Sequence, residues 1–573
     1  MFKYSDLRRQ KLKTLLTYVA AASLGVCAFM IVFPAFILDP QNLDWIFPPI
    51  VQGGFGHDVH THYLGWYFLR HSPVSFPLGA IPGYVAPLPT YMAYTDSLPL
   101  LGYLFRCVSQ WLPDDFQYFG PWILLCMVLQ SVFSLRLLKR WIKDPICLCI
   151  AVVLMTFSPI LIYRAGHAAL MAHWLILWSF DLLAEFYFAN LSQSSVRMPF
   201  WRPILLVSLS TLIQPYLAAM VAGICWGLPL TSFLMDRSGG KTHWFWPALK
   251  LFLNTLVLVL PMIVLLYVFG FFNGTSRAPG FHYFGTDFFS LFNNHGTSSF
   301  IPRFRIKAGL AEGYTWPGAG GWVFLIAILV PRVRSQISLS WRNPHVKAAV
   351  MVCGVMWFFA LSERIHFATF WLVDMEWFWS PFAFVTSSLR TAGRMTWPGY
   401  YFLIFTAMAV TANLYSAKAA RRIFIGAFIL QALDLGPWIA NSSLRAKIYE
   451  RPRLVDPFWA ADATQYAHIK MIPPVQDNGH CFRQKSDYIF EWVEFARYAA
   501  KHNMSINSGY LARYDELTSQ AYCNAQWYEF LAGPLQKDSI YVLRRGYIDE
   551  PSTHGPDRLC REMDGNMICV AKD

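Results

Sequence analysis

Apolar runs of about 20 residues, the length that crosses a bilayer as a helix, recur along most of the chain and are separated by short polar or basic stretches. They cover residues 15–38, 119–138, 145–163, 168–190, 203–235, 249–272, 321–337, 346–361, 396–415 and 423–440. The 203–235 run is too long for one crossing and contains Gln214-Pro215, where proline disfavours helix continuation, so it divides into two spans. The pattern predicts about eleven transmembrane helices. Beyond residue 440 it changes. The segment SDYIFEWVEFARYAAKH has the spacing of an amphipathic helix, and SIYVLRR and NMICVAK read as strands. The expected architecture is a polytopic α-helical membrane module, residues 1–440, with large loops at 39–118, 273–320 and 362–395, followed by a small α/β soluble domain at 441–573.

Composition supports this. Of 573 residues 55% are hydrophobic and only 14% charged, and the mean hydropathy of +0.35 is too high for a soluble protein of this size. A net charge of +13 does not point to nucleic acid, because the basic residues cluster at the ends of apolar runs and form no stripe. These clusters, among them Arg8/Arg9, Lys139/Arg140/Lys143, Arg237/Lys241 and Lys418/Arg421/Arg422, fall on alternate loops. The positive-inside rule then places the N-terminus in the cytoplasm and the three large loops and the tail outside. The first apolar run exceeds the ~7–15 residues of a signal-peptide core and reads as an uncleaved span. Cys481, Cys523, Cys560 and Cys569 lie in the polar tail, and an even set in an exported segment fits two disulfides with three pairings open. The spacing of these cysteines argues against zinc, since none forms a CxxC pair.

The candidate chemistry gathers in the predicted outer segments. In HDVHTHYLGW, a helix starting at His57 or Asp58 puts Asp58, His62 and Trp66 on one face. Asp58 suits a general base beside imidazole, and equally a helix cap. The three histidines 57, 60 and 62 lack the i, i+4 spacing of a helical zinc pair. Asp96 in YTDSLP reads as the cap of a short helix. YRAGHAALMAHW sets Arg164 and His167 at the membrane edge, where Arg offers a planar fork to phosphate or snorkels to the interface. Arg390 and Arg394, four apart, would project from one helix face above a span, and on the outer side they call for an anionic lipid headgroup. Glu312 in LAEGYTWPGAGGW could bind a sugar hydroxyl or steady an Arg. Its neighbouring glycines read as packing and turn residues, since no GKS or GKT follows.

Taken in order, HDVHTHYLGWYFLRHSPVSFPLG, YTDSLPLLGYLF, GHAALMAHWLIL, IQPYLAAM, EGYTWPGAG, LRTAGRMTWP and LQALDL resemble the successive motifs of an uncharacterised bacterial inner-membrane family of the GT-C superfamily, whose members include protein O-mannosyltransferases. The resemblance spans nearly the whole chain. It implies a GT-C fold and an inverting transfer of sugar from a polyprenyl-phosphate donor to a glycan, lipid or protein acceptor in the periplasm, with membrane lipid as a partner. No cofactor is certain, and a divalent metal is left open. Carried onto this sequence, the acidic residue of the first outer loop is Asp58 as base, with His62 orienting it. Arg390, Arg394 and alternatively Arg164 hold the carrier phosphate, and Trp66 and Tyr84 offer aromatic surfaces to sugar or prenyl chain. Gln214 stands where such a turn would carry His. Two other readings compete: a flippase for lipid-linked sugars, which would carry internal repeats and charges deep in several spans, and an envelope assembly protein whose tail binds a partner.

Overall fold

The 203–235 run divides where its proline predicts. Helices Trp201–Ile213 and Pro215–Ser238 meet at Gln214, whose side-chain oxygen accepts the backbone N–H groups of Tyr216 and Leu217, two of the donors that a helix start leaves open. The structure is a computed structural model and describes residues 2–572 except 48–57, 193–198, 239–243, 274–279, 341–342, 442–453, 475–490, 512–515 and 545–556. His57 and Cys481 fall outside the described residues.

Seven described helices are long and apolar enough to cross a membrane: Gln10–Val32, Phe119–Leu138, Pro145–Ile162, Ala168–Leu191, Pro215–Arg237, Phe245–Val268 and Ala417–Ala440. The chain is a polytopic helical membrane protein. Phe245–Val268 is apolar all round and leaves most of its surface uncovered by the rest of the chain, as a lipid-facing span does. The remaining expected spans are also helical, but one is not a single crossing. Residues 321–337 break into Gly318–Ala327 and Pro331–Ser340, because Pro331 cannot continue the first helix and suits the first turn of the second. At 10 residues the first piece is about 15 Å long, half the hydrocarbon thickness. Trp201–Ile213 and Pro344–Ala360 are likewise apolar helices shorter than a full span.

The chain forms two compact units. One comprises Met1–Leu38, Gly120–Ile263 and Pro279–Arg445, and the other Asp39–Phe119, Val264–Ala278 and Ala446–Asp573. The first large loop thus groups with the C-terminal segment, which differs from a simple division at residue 440.

In the first unit, the Gly-rich stretch is a packing joint. Gly318 has φ +76°, and a Cβ on Gly320 would lie 2.2 Å from the Ala427 carbonyl oxygen. Gln431 accepts the N–H groups of Gly320 and Gly321, while Asp434, fully buried, accepts those of Ala319 and Ser299. LQALDL therefore anchors the start of helix Gly318–Ala327, where a carboxylate also meets the positive end of the helix dipole. The same unit carries a hairpin, β1 (Arg364–Phe367) and β2 (Phe370–Asp374), in the 362–395 loop.

In the second unit, β3 (His468–Ile472), β4 (Ser505–Ile506), β5 (Ser539–Leu543), β6 (Arg558–Met563) and β7 (Asn566–Ala571) form a sheet of order β4-β3-β5-β7-β6. Its first three strands run parallel, and β5-β7-β6 are antiparallel. The amphipathic helix Glu491–Lys501 and the helix Glu516–Ala532 complete an α/β arrangement. Cys560 and Cys569 face each other across β6 and β7 and form a disulfide. Cys523 is also disulfide-bonded, with its partner outside the described residues. The first loop continues the sheet: Ile506 donates its N–H to Gly83 O (2.9 Å) and accepts that of Ala86 (2.8 Å). Helix Asp58–His71 lies against Glu491–Lys501, with His60 edge-on to Trp492.

Candidate functional site

In the first unit the structure brings Arg164, Glu312 and Arg394 together. Arg164 follows the short helix Pro159–Ile162, Glu312 ends a 3-10 turn (Ala308–Gly313), and Arg394 lies in another (Ala392–Thr396). One Glu312 oxygen, Oε2, takes Arg164 at 3.0 Å and Arg394 at 2.7 Å. Arg164 also donates to the Glu312 and Ala311 carbonyls. Both guanidinium groups are buried, whereas 23% of the Glu312 side chain stays exposed. Burial would raise the Glu312 carboxyl, but Arg164 and Arg394 together overcome it and hold the pKa down at about 2. Of the two roles read for Glu312, steadying Arg is the one its contacts show.

Aromatic rings hold this cluster in place. The Arg164 guanidinium lies over Tyr163 (5.4 Å) and Trp397 (5.6 Å), and that of Arg394 over Tyr216 (5.0 Å). Tyr216 opens helix Pro215–Ser238, and its hydroxyl accepts the Thr391 N–H at 2.9 Å, three residues before Arg394. Gln214, by capping that helix, fixes the ring on which Arg394 rests, a role that needs no His. Tyr163 stacks on Tyr314 at 4.2 Å, and its hydroxyl reaches His295 Nδ1 at 3.4 Å. Burial, then Arg164 and Arg303, lower His295 to about 4, so it is neutral at physiological pH. His167 is buried beside Arg164 in the chain and donates its backbone N–H to the Arg164 carbonyl.

Arg390 stands apart. No helix carries it with Arg394, because Ala383–Ser388 ends before it and the next turn starts after it. The expectation of one helical face bearing both is corrected: Arg394 pairs with Glu312, and Arg390 lies over the Phe284 ring at 5.5 Å. Sequence reading missed Tyr163, Tyr216 and His295. The Gln-Pro-Tyr turn was the available signal for Tyr216, since two helices meeting at one membrane face must place its first residues there.

In the second unit, the helix is described over Asp58–His71, and His57, the other start that the spacing allows, lies outside the described residues. Asp58 is half-buried in the first turn, where a carboxylate favours the dipole, and among the described residues its side chain makes no hydrogen bond or ion pair. His62, one turn on, is buried against Phe119. Asp96 is not the cap of helix Pro99–Cys107: Leu98 occupies that position, with no side-chain cap bond. Asp96 and Leu98 both have left-handed backbones (φ 51° and 53°), a conformation that Asp tolerates and Leu does not favour. The turn brings an Asp96 carboxylate oxygen within 4.8 Å of a His62 ring nitrogen. The two supply a partial ligand set for a divalent cation, nitrogen and oxygen donors of the kind zinc or manganese accepts. Trp66 and Tyr84 are corrected as open aromatic surfaces, since both are fully buried. Trp66 is edge-on to Phe116 and Tyr118, and the Tyr84 hydroxyl bonds the Tyr510 backbone, so both rings build the unit's core.

The fold and these clusters define a polytopic membrane protein with charged and aromatic groups gathered outside its spans. Residues 22–436 match the family described as a domain of unknown function, DUF6311, and residues 458–571 match the DUF6311 C-terminal domain. The chain belongs to the DUF6311 family. A comparison with curated proteins gives no match. Among solved structures it is similar to the Archaeoglobus fulgidus oligosaccharyltransferase in complex with zinc and sulfate (12% identity, TM-score 0.34, covering 86% of this chain and 62% of that one). It is also similar to the archaeal oligosaccharyltransferase AglB from Archaeoglobus fulgidus in complex with an inhibitory peptide and a dolichol-phosphate (13% identity, TM-score 0.36, covering 87% and 65%). Likeness at these TM-scores carries no argument about this chain, which spans less than two thirds of either structure.

Proposed function

We propose that this protein is an integral membrane glycosyltransferase of GT-C type, moving a sugar from a polyprenyl-phosphate carrier to a glycan or lipid of the cell envelope on the periplasmic face of a bacterial inner membrane. The observation that carries the reading is the Arg164–Glu312–Arg394 cluster: two buried guanidinium groups on one carboxylate, in a position outside the spans. A carrier phosphate is an anion fixed at that level of a membrane, and guanidinium matches its oxygens in a planar fork.

In this reading the acceptor hydroxyl gives its proton to Asp58, and its oxygen attacks the anomeric carbon from the side opposite the phosphate. The carbon–oxygen bond to phosphate breaks, and the electron pair leaves with the phosphate. Arg164 and Arg394 stabilise the charge that develops there. Glu312 aims both cations and tempers their repulsion. His62 orients Asp58, and His62 and Asp96 are the residues that would hold a divalent cation, which would supply positive charge beside them.

The test is transfer from a labelled polyprenyl-phosphate sugar by purified protein in vesicles. Asp58→Asn is expected to lower kcat by about 10²–10⁴-fold, the range for loss of a general base. Undiminished transfer by a folded Asp58→Asn protein would remove Asp58 from the mechanism. Movement of lipid-linked sugar across vesicles without acceptor modification would instead favour a flippase.

A further inference from the structure

The β2 strand of the hairpin exposes a run of large apolar side chains. Along β2, Phe370 is 71% exposed, Trp371 58%, Leu372 58% and Val373 48%. A register shift at Leu372 breaks the alternation: Phe370 pairs with Phe367 and Val373 with Ile365 on one face, Trp371 pairs with His366 on the other, and Leu372 is the extra residue of a bulge. A strand packed on its own protein would alternate buried and exposed positions, and a single protein partner would cover one face only. His366 is buried and its carbonyl accepts the Phe288 N–H, so β1 is held on the protein, and the four consecutive exposed apolar residues of β2 call for an apolar medium.

Three further observations identify that medium. The hairpin follows helix Pro344–Ala360, whose exposed Met351, Val355 and Phe358 form an apolar stripe of the kind that faces lipid. That stripe continues into the segment after β2, since Phe358 contacts Phe378 and Trp379. The base of the hairpin is polar and fixed: Arg364 pairs with Asp374 at 3.3 Å, Asp287 accepts the Ala368 N–H, and Lys307 meets His366 at 3.2 Å. Beside it, Arg303 and Arg305 flank exposed Phe304, which joins the Phe289–Phe367 ring cluster. Apolar tip, aromatic body and basic base, in that order, match the layers of a bilayer's edge from acyl chains to anionic headgroups. The β1 edge is bonded to the Phe288 backbone, while β2 pairs with no further strand among the described residues, and an open strand edge is not tolerated by hydrocarbon, so the depth is that of the headgroup–acyl boundary.

We propose that strand β2 of the hairpin inserts into the membrane interface and lies in lipid. The test uses the full chain with Cys27, Cys107 and Cys149, the exposed free cysteines, replaced by serine. Single spin labels at Trp371→Cys and Leu372→Cys sample the face shared with His366 and the bulge beside it, with Leu517→Cys, on a strongly exposed residue of the second unit, as a reference. The protein is reconstituted in vesicles of phosphatidylethanolamine and phosphatidylglycerol, and collision with dissolved oxygen and with a water-soluble nickel chelate is measured. The expected result is a several-fold excess of oxygen over nickel collision at 371 and 372 relative to 517. Nickel access at 372 equal to that at 517 would overturn the proposal by placing the hairpin in water. Shielding from both reagents at either position would overturn it in favour of a second copy covering that face. Because the labelled residues are exposed, folding is checked by an unchanged elution volume in detergent, and Val373→Cys reports the face opposite Trp371.

Discussion

Glu312 carries two opposing demands, and its titration shows which one prevails. Its folded pKa, about 2, lies below the ordinary carboxyl value, so its contribution to stability is complete above about pH 4.5 and is lost as pH falls toward 2. His295 and His71 act earlier. Both sit near 4 in the folded chain, His295 through burial, Arg164 and Arg303, and His71 through burial and Arg70. An imidazole held neutral when folded costs stability once pH drops below its unfolded value of about 6.5, and the loss continues down to about 4. Thermal unfolding in detergent is therefore expected to weaken below about pH 6.5 and to fall more steeply below about 4.5. Glu312→Gln should remove the steep part and keep the shallow one. At pH 7 it should also cost about 3–5 kcal/mol, since it leaves two buried cations without their carboxylate. A Glu312→Gln protein as stable as the parent would show that the cluster does not depend on its acid.

Glycines in helices separate packing joints from open faces. Gly320→Ala would drive a Cβ to 2.2 Å from the Ala427 carbonyl oxygen, a backbone atom that cannot turn aside, and is expected to destabilise by about 1–3 kcal/mol. Gly354→Ala, with nothing within 4 Å of its added Cβ, should be neutral or stabilise by up to about 1 kcal/mol through helix propensity. Comparative melting of the two variants checks the contrast, and equal effects would count against the joint. Hydropathy could locate the helices because each must present apolar surface to lipid or core over its length. It could not see that Pro331 divides 321–337, since apolar residues flank the break on its helical side and hydropathy sums over it. Similarly, Arg390 and Arg394 have helical spacing but lie on no common helix, because the backbone between them is a turn. Glu312 and Arg164 were legible as single candidates, but their meeting was not: it depends on chain paths 148 residues apart, which no local pattern encodes.

At the scale of the whole chain, the second unit changes how a truncation must be interpreted. Were residues 441–573 an independent domain, its deletion would leave the first loop intact, and lost transfer would speak only of acceptor choice. The hydrogen bonds from Ile506 to Gly83 and Ala86, the His60–Trp492 contact and the Arg497–Asp115 ion pair (2.9 Å) instead make the first loop and the C-terminal segment parts of one core. Helix Asp58–His71 buries nearly all its side chains in that core, so without the C-terminal segment His60 and Tyr84 would face water. Such exposed apolar surface opens the loop to local unfolding. Limited proteolysis in detergent should therefore cut the truncated chain within residues 72–76 and 109–115 while sparing the full chain. Equal resistance in both would show that the first loop folds without the C-terminal segment, and only then could lost transfer be assigned to that segment alone.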